Sequence, residues 1–434
     1  MESNNSSVNF PKVIIVGGGF GGIQLAKKLK NKEVQVLMLD RHNYHTFQPL
    51  LYQVATGGLE ADCIAFPLRK IFKGERNFIF RNADVLTISP ENNSINTTIG
   101  EFEYDYLVLA TGSNTNFFGN SELEHYTMPM KTIPEALNLR SMLLQNLEES
   151  LIEPDPQTKA GLLNFVVVGG GPTGVELSGA LSELKRHVLK KDYPELDLAD
   201  VNIYLIEGSN VLLGPMSPQA QRSAKEFLEE MGVNVVTGVT VVSYDGNTIK
   251  LSNDVDIMTK NVLWSAGVKG DFPEGISKEH IVRGGRIKVD RFNRVDGFHN
   301  IFAIGDVAAM ISEETPNGHP GVAPVAIQQG KLLAKNLIKI INKEEPEPFK
   351  YFDKGSMATV GRNRAVVDVG KIRFQGIFAW FVWMFVHLMS LVGFRNKLVV
   401  FVNWMWSYFS YDRGTRLIIR PFNRESMRED TSNK

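Results

Sequence analysis

One device occurs twice in this chain, and it limits sharply what the chain can fold into. The stretch "VIIVGGGFGG" (Val13–Gly22) and the stretch "FVVVGGGPTGVE" (Phe165–Glu176) each read as a short buried strand, a glycine turn and a helix start. Each turn carries the spacing G-x-G-x-x-G, through Gly17, Gly19 and Gly22 and again through Gly169, Gly171 and Gly174. The spacing has a physical reason. The first glycine permits the tight strand-to-helix turn. The second lets the backbone approach a pyrophosphate with no Cβ in the way, and the third lets the helix pack close to the strand. The helix N-terminus then presents N–H groups and partial positive charge to an anion.

A single copy of such a turn is a weak signal, so its surroundings matter. Each next strand, "VQVLMLD" and "VNIYLIE", ends in an acid, Asp40 and Glu207. A carboxylate at that place accepts hydrogen bonds from adenosine ribose hydroxyls, and Asp40 stands near the usual spacing of about 20 residues. Each unit is closed by a further strand with a small-residue end, "YDYLVLATG" (Tyr104–Gly112) and "NVLWSAG" (Asn261–Gly267). Two complete units point to two different dinucleotides: one cradle for FAD, held permanently, and one that admits NADH. The carboxylate of Glu207 repels a 2′-phosphate, so NADH is expected over NADPH.

Size and composition agree with an enzyme of this kind. A chain of 434 residues, 43% of them hydrophobic, can build two or three domains with real cores. The formal net charge of −1 gives no whole-protein argument for nucleic acid as a partner. Cys63 is the only cysteine, which excludes an intrachain disulfide and a paired-thiol relay. No His or Cys cluster has metal-ligand spacing, so no metal is expected; His42, His45 and His387 read as structural. The polar start "MESNNSSVNF" lacks the layout of a secretory signal and reads as a loose tail, as do the last dozen residues. "EPDPQTKAG" (Glu153–Gly161) and "KEEPEPFKYFDKG" (Lys343–Gly355) read as linkers, Ile133–Leu151 as a helix, and Val175–Lys191 as a long helix.

In their order, "VIIVGGGFGG", "LVLATG", "VVVGGGPTGVE" and "IFAIGD" resemble the two-dinucleotide-binding-domain flavoproteins of the glutathione-reductase-like fold. Within that family "DRHNYHTFQPLLYQVATGGL" (Asp40–Leu59), "GRNRAVVDVG" (Gly361–Gly370) and "LMSLVGFRNKLVVFVNWMWSYFSYDRGTRLI" (Leu388–Ile418) resemble type II NADH dehydrogenases, the monotopic, non-proton-pumping NADH:quinone oxidoreductases. The resemblance implies an α/β fold with two Rossmann-like domains and a C-terminal amphipathic helical membrane-docking region. The expected divisions are residues 11–112 with 285–342 for FAD, 113–284 for NADH with its linker, and 343–434 for the membrane and quinone region. It implies hydride transfer from NADH to FAD and then two-electron reduction of a membrane quinone. It places Asp306 on the FAD ribitol, Gln48, Thr111 and Gly112 near the flavin, and Gly267 beside NADH. The N–H groups around Val325 and Ala326, after Pro324 at a helix start, are expected to face the ring. Glu176, just inside the helix after the NADH cradle, is the expected catalytic residue; the resemblance places it close to the flavin and nicotinamide, to orient NADH or to assist proton movement to the quinone. A homodimer on the cytoplasmic face of the cell membrane is implied as well.

One departure stands out. Many family members carry an Ala-Gln pair at the start of the helix facing the flavin, and "GVAPVAIQQG" has Pro324 where that Gln would align. The quinone contact therefore does not carry over to that position; Gln328 and Gln329 are the substitutes considered, with Lys397 as a further quinone contact. The tail itself supports membrane contact. "GIFAWFVWMFVHLMSLVG" (Gly376–Gly393) is nearly uncharged and "LVVFVNWMWSYF" (Leu398–Phe409) is too short to span. Trp380, Trp383, Trp404 and Trp406 fall here, flanked or separated by Arg373, Arg395, Lys397, Arg413, Arg416 and Arg420, as in an interfacial segment. Docking on the bilayer, a buried dimer interface and a single spanning helix all fit the pattern. Two rival functions remain at this point: a soluble NADH oxidase or ferredoxin reductase, and an apoptosis-factor-like NADH-binding redox protein.

Overall fold

The computed structural model describes residues 10–410, 414–418 and 422. The amino-terminal tail, Arg413, Arg420 and the polar carboxy-terminal end lie outside the described residues. Along the chain, β1 (Lys12–Val16), α1 (Phe20–Leu29) and β2 (Gln35–Asp40) come first, then α2 (Leu51–Ala55), β3 (Phe78–Asn82), β4 (Tyr106–Leu109) and β5 (Met128–Pro129). Next are α3 (Ile133–Ile152), β6 (Asn164–Val168), α4 (Pro172–Glu183), β7 (Asn202–Glu207), β8 (Asn234–Thr237) and β9 (Asn261–Trp264). The rest is β10 (Ile301–Ala303), α5 (Ala323–Ile341), β11 (Ser356–Gly361), β12 (Arg364–Val369), β13 (Ile372–Gln375), α6 (Ile377–Ser390) and α7 (Phe394–Ser410). Contacts divide the chain into two compact units: Met1–His45, Phe66–Asn114 and Val268–Asp353, and Thr46–Ala65, Thr115–Gly267 and Lys354–Lys434.

The first unit is built on a parallel sheet in the order β10-β4-β1-β2-β3. Its central strand, KVIIV, is apolar at every position but the first because both faces are covered. Val13 and Ile15 pack with Leu25, Leu29, Phe302 and Leu337 on one face. Ile14 and Val16 pack with Leu107, Ile287 and Ile301 on the other. Helices α1 and α5 cross closely: a Cβ on Gly330 would lie 2.4 Å from the Gly21 carbonyl oxygen, so a larger residue there would force the helices apart.

The second unit repeats the scheme, with a parallel sheet in the order β5-β9-β6-β7-β8. In both sheets the strand before the glycine turn is central. The acid-bearing strand lies on one side of it and the small-ended strand on the other. An antiparallel sheet of β11, β12 and β13 belongs to the same unit and packs on α4. A Cβ on Gly179 of α4 would come within 1.8 Å of the Val360 carbonyl oxygen, so glycine is what allows that crossing.

Three sequence expectations change. Pro156–Leu163 is a helix rather than part of a linker: the Asp155 side chain accepts from the Thr158 N–H and Pro156 occupies the first turn, a sound helix start hidden inside a Pro-rich stretch. The long helix after the second turn is α-helical to Glu183 and continues as a π-helical turn over Leu184–Leu189. The spanning reading of Gly376–Gly393 fails, because α6 has 14 residues, about 21 Å of rise against a hydrocarbon core of about 30 Å. Among the described residues no helix is long and apolar enough to cross a membrane.

Helices α6 and α7 turn their apolar side chains outward. Phe378, Phe381, Phe385 and Met389 of α6 are exposed, while Ala379 and Trp383 are buried. On α7, Asn396 and Asn403 face the protein. Asn396 Nδ2 donates to the Asp62 and Ala65 carbonyls at 3.2 and 2.9 Å, and Asn403 Nδ2 donates to Glu60 Oε2 at 2.9 Å. Phe394 and Phe409 are 81% and 75% exposed. This is the reverse of an ordinary surface helix and leaves a contiguous apolar face of the kind that marks an interaction surface.

Candidate functional site

The first cradle lies between β1 and α1. Gly17 has φ +108°, a conformation that disfavours any side chain, and a Cβ there would also strike the Ala110 carbonyl. A Cβ on Gly22 would lie 2.0 Å from the Gly17 oxygen. On Gly19 it would meet only the Ala110 oxygen at 3.9 Å, so that side of the turn is open. Asp40 braces the turn from β2: Oδ2 accepts the Gly18 N–H at 2.6 Å and Oδ1 the His42 N–H at 2.7 Å. Burial raises its pKa, and the two N–H donors work against that rise.

The second cradle repeats the geometry of the first. Gly169 has φ +108°, a Cβ on Gly174 would lie 1.8 Å from the Gly169 oxygen, and a Cβ on Gly171 would meet nothing within 4 Å. Glu207 Oε2 accepts the Gly170 N–H at 2.6 Å and Oε1 the Ser209 N–H at 2.7 Å. Both cradles thus pass the same fit test for a dinucleotide: a pinned turn, a clear face at the second glycine and an acid beside it.

Sequence reasoning missed Gly18 and Gly170, treated as the free position of each motif. A Cβ on Gly18 would crowd Leu68 at 2.7 Å, and one on Gly170 would crowd Leu212 at 2.6 Å and Glu207 at 2.9 Å. The triple glycine in each turn was the available signal.

Around the first cradle, Ser113 Oγ donates to Asp306 Oδ2 at 2.9 Å, and a Cβ on Gly321 would lie 3.2 Å from the Asp306 carboxyl carbon. Gly112 has φ +79° with open space where a Cβ would stand. The Thr111 hydroxyl donates to the Asp271 carbonyl. Val325 and Ala326 are buried at the start of α5, and both their N–H groups point back to the Val322 carbonyl, at 3.1 and 3.4 Å. Those donors are therefore engaged within the helix, and the remaining dipole field, rather than direct N–H contact, is what they offer an anion.

Gln328 pairs both ends of its amide with Phe352, donating to the carbonyl at 2.9 Å and accepting the N–H at 3.0 Å. The buried Gln329 accepts the Gly305 N–H at 2.7 Å. Both amides thus brace backbone, and Lys397 Nζ donates to the Met389 carbonyl at the end of α6 at 2.7 Å. In the second unit, Gln48 is exposed on the turn Gln48–Leu50, and Gly267 (φ +75°) has the Phe118 ring packed over it.

Glu176 lies one turn inside α4 and lines a pocket of about 90 Å³ whose other walls come from α2, β11, α6 and α7. Tyr52, Gln53, Arg362, Trp383, Trp404 and Tyr408 are among its lining. Glu176 is 8% exposed, and its Oε1 accepts the Thr359 N–H at a long 3.4 Å. Burial pushes its pKa up to about 8, against the smaller opposing effects of the Thr359 N–H and of Trp383. Among the described residues no cation offsets the burial. The Arg362 guanidinium donates to the Ser407 and Tyr408 carbonyls at 2.6 and 2.8 Å, at the end of α7. The aromatic wall of this pocket was legible only as a tryptophan-rich tail, because its partners lie far apart in sequence.

His45 is buried and His387 half-buried, and desolvation lowers each pKa to about 4; His45 Nδ1 lies 3.2 Å from the Gly18 oxygen. Cys63 is buried and unpaired. Among the described residues no group of three His, Cys, Asp or Glu is placed to hold a metal.

Comparison with known proteins agrees with this geometry. The family described as pyridine nucleotide-disulphide oxidoreductase matches residues 11–330, and the NDH2 C-terminal domain matches residues 354–410. The chain is 36% identical to the type II NADH:quinone oxidoreductase Ndh of Mycobacterium tuberculosis, over 93% of this chain and 89% of that one. It is 30% identical to the internal alternative NAD(P)H-ubiquinone oxidoreductase A1 of Arabidopsis thaliana mitochondria, over 92% of this chain and 84% of the relative. The structure of NDH2 from Plasmodium falciparum in complex with NADH aligns with a TM-score of 0.86 at 22% identity, covering 94% of this chain and all (100%) of that one. The fold, the paired cradles and these likenesses converge, and the chain belongs to the type II NADH:quinone oxidoreductase family.

Proposed function

We infer that this NADH:quinone oxidoreductase binds FAD non-covalently in the cradle of Gly17, Gly19 and Gly22 and takes NADH in that of Gly169, Gly171 and Gly174. Asp40 and Glu207 each hold one face of a ribose, and Asp306 accepts from the ribitol chain. Bound there, FAD would supply the two-electron relay between NADH and a quinone. The chain's own residues hold the nucleotides and manage one proton. NADH, a proton and a quinone give NAD+ and quinol, so each turnover needs a proton from the protein side. Glu176 is the donor we assign, because burial keeps its proton on at neutral pH while the Arg362 guanidinium of the same wall is engaged by the Ser407 and Tyr408 carbonyls. The quinone then sits in the aromatic pocket among Tyr52, Gln53, Trp383 and Trp404. Gln328 and Gln329 brace backbone within the first unit and Lys397 holds the end of α6, so no quinone contact is assigned to them.

The observation that carries this reading is the pairing of two equivalent cradles with one buried acid at the start of α4. The outward apolar faces of α6 and α7 supply the second half of the argument. A lipid-soluble acceptor needs a site reachable from the bilayer, and a soluble oxidase or a redox sensor has no use for such a face. We assign the chain to the cytoplasmic membrane surface as a peripheral homodimer. Residues 11–112 with 285–342 serve FAD, 113–284 serve NADH, and 343–434 serve membrane and quinone. The test is NADH oxidation by the purified protein with and without a menaquinone or ubiquinone analogue. Turnover that requires the quinone supports the assignment; equal turnover without it refutes it.

A further inference from the structure

The pocket around Glu176 contains one buried donor that the described residues leave without a close partner. The indole nitrogen of Trp383 meets no acceptor at good hydrogen-bond geometry among them, and the residue is 1% exposed, yet the indole acts on the Glu176 carboxyl and lowers its pKa. An indole N–H only donates, and a buried donor without an acceptor costs free energy, so its persistence asks for a use. The ring is held firmly. It stacks on His387 with centroids 4.1 Å apart and packs against Trp404 at 5.8 Å, while His387 Nδ1 meets the Trp383 carbonyl at 2.8 Å. Trp383 and Glu176 line the same pocket, and the hydrogen bond Glu176 accepts from the Thr359 N–H is long at 3.4 Å.

We propose that Trp383 is a positioning residue for Glu176, its N–H receiving the carboxylate that proton delivery to the quinone leaves behind. The inference rests on the reading of Glu176 as proton donor. In the step, the Glu176 O–H bond breaks and the quinol O–H forms. The two electrons come from NADH, and the carboxylate is reprotonated from water. Other groups facing the acid do not take the role. Tyr52 on α2, Glu183 on α4 and Tyr408 on α7 are not cations, and Arg362 between β11 and β12 is bound to the Ser407 and Tyr408 carbonyls. His387, behind the indole, is neutral because of its desolvation.

The experiment is the pH profile of quinone reduction by the flavin-loaded full chain, with a menaquinone analogue as acceptor. Trp383→Phe removes the N–H, and site-specific 3-benzothienylalanine at 383 removes it while keeping the ring shape. Both should move the alkaline limb upward by about 0.5–1 pH unit, since the carboxylate loses a donor. No shift, or a shift in Trp383→Phe alone, overturns the inference. Glu176→Gln separates the two claims. If it abolishes the limb while neither Trp383 variant shifts it, only the role of Trp383 falls. If the limb survives Glu176→Gln, the reading of Glu176 falls and the inference with it.

Discussion

Glu176 carries its proton at pH 7 because burial moves its pKa from 4.5 to about 8. Between those values the folded chain binds a proton that the unfolded chain releases, so this group lowers stability as pH rises through the window. Glu176→Gln should therefore flatten the fall in Tm from about pH 5 to pH 8, measured by thermal unfolding across that range. The glycines offer a cleaner separation of fold from function. A Cβ on Gly171 meets no atom, so Gly171→Ala should change unfolding free energy by less than about 0.5 kcal/mol. It should nevertheless raise the KM for NADH at least ~10-fold, because the methyl group fills the space the pyrophosphate needs. Gly174→Ala, by contrast, puts a methyl group 1.8 Å from the Gly169 oxygen and should destabilise the unit outright, with a lowered Tm as the readout.

Among the elements, α6 and α7 show why a pattern can be read correctly in content and wrongly in form. Their apolar richness was plain in the sequence, but the direction of the faces was not. The inward side of α7 is marked by Asn396 and Asn403, which bond to the Asp62, Ala65 and Glu60 region some three hundred residues earlier. No local periodicity reveals such partners. The β11–β13 sheet went unseen for a similar reason, since its place is set by packing on α4 through Gly179. The helix Pro156–Leu163 was hidden because its proline reads as a breaker unless the capping Asp155 is recognised first. If α6 docks on a bilayer, Phe381→Glu combined with Phe385→Glu should cut partitioning to anionic vesicles at least ~10-fold, as two large apolar side chains no longer enter the lipid. Both residues are exposed, so the Tm in solution should stay unchanged.

Over the whole molecule, the duplicated cradle was the most legible feature, because its glycine spacing lies within six residues and occurs twice, each time after a strand and before a helix. Asp40 and Glu207 were legible for the same reason: each ends the strand beside its own turn. Their shared geometry gives a prediction for nucleotide choice. On the proposed reading the Glu207 carboxylate repels a 2′-phosphate, so kcat/KM for NADH should exceed that for NADPH by at least ~100-fold. The aromatic pocket was illegible, since α2, α4, β11, α6 and α7 all contribute to it and only Glu176 announced itself by position. On the proposed reading Glu176 supplies the proton for quinone reduction and has no part in nucleotide oxidation. Stopped-flow absorbance of the flavin-loaded Glu176→Gln protein separates the two half-reactions, following bleaching by NADH and then recovery on mixing with a menaquinone analogue. Bleaching at the wild-type rate with recovery slowed at least ~100-fold is expected. Recovery at the wild-type rate would remove Glu176 from the proton path.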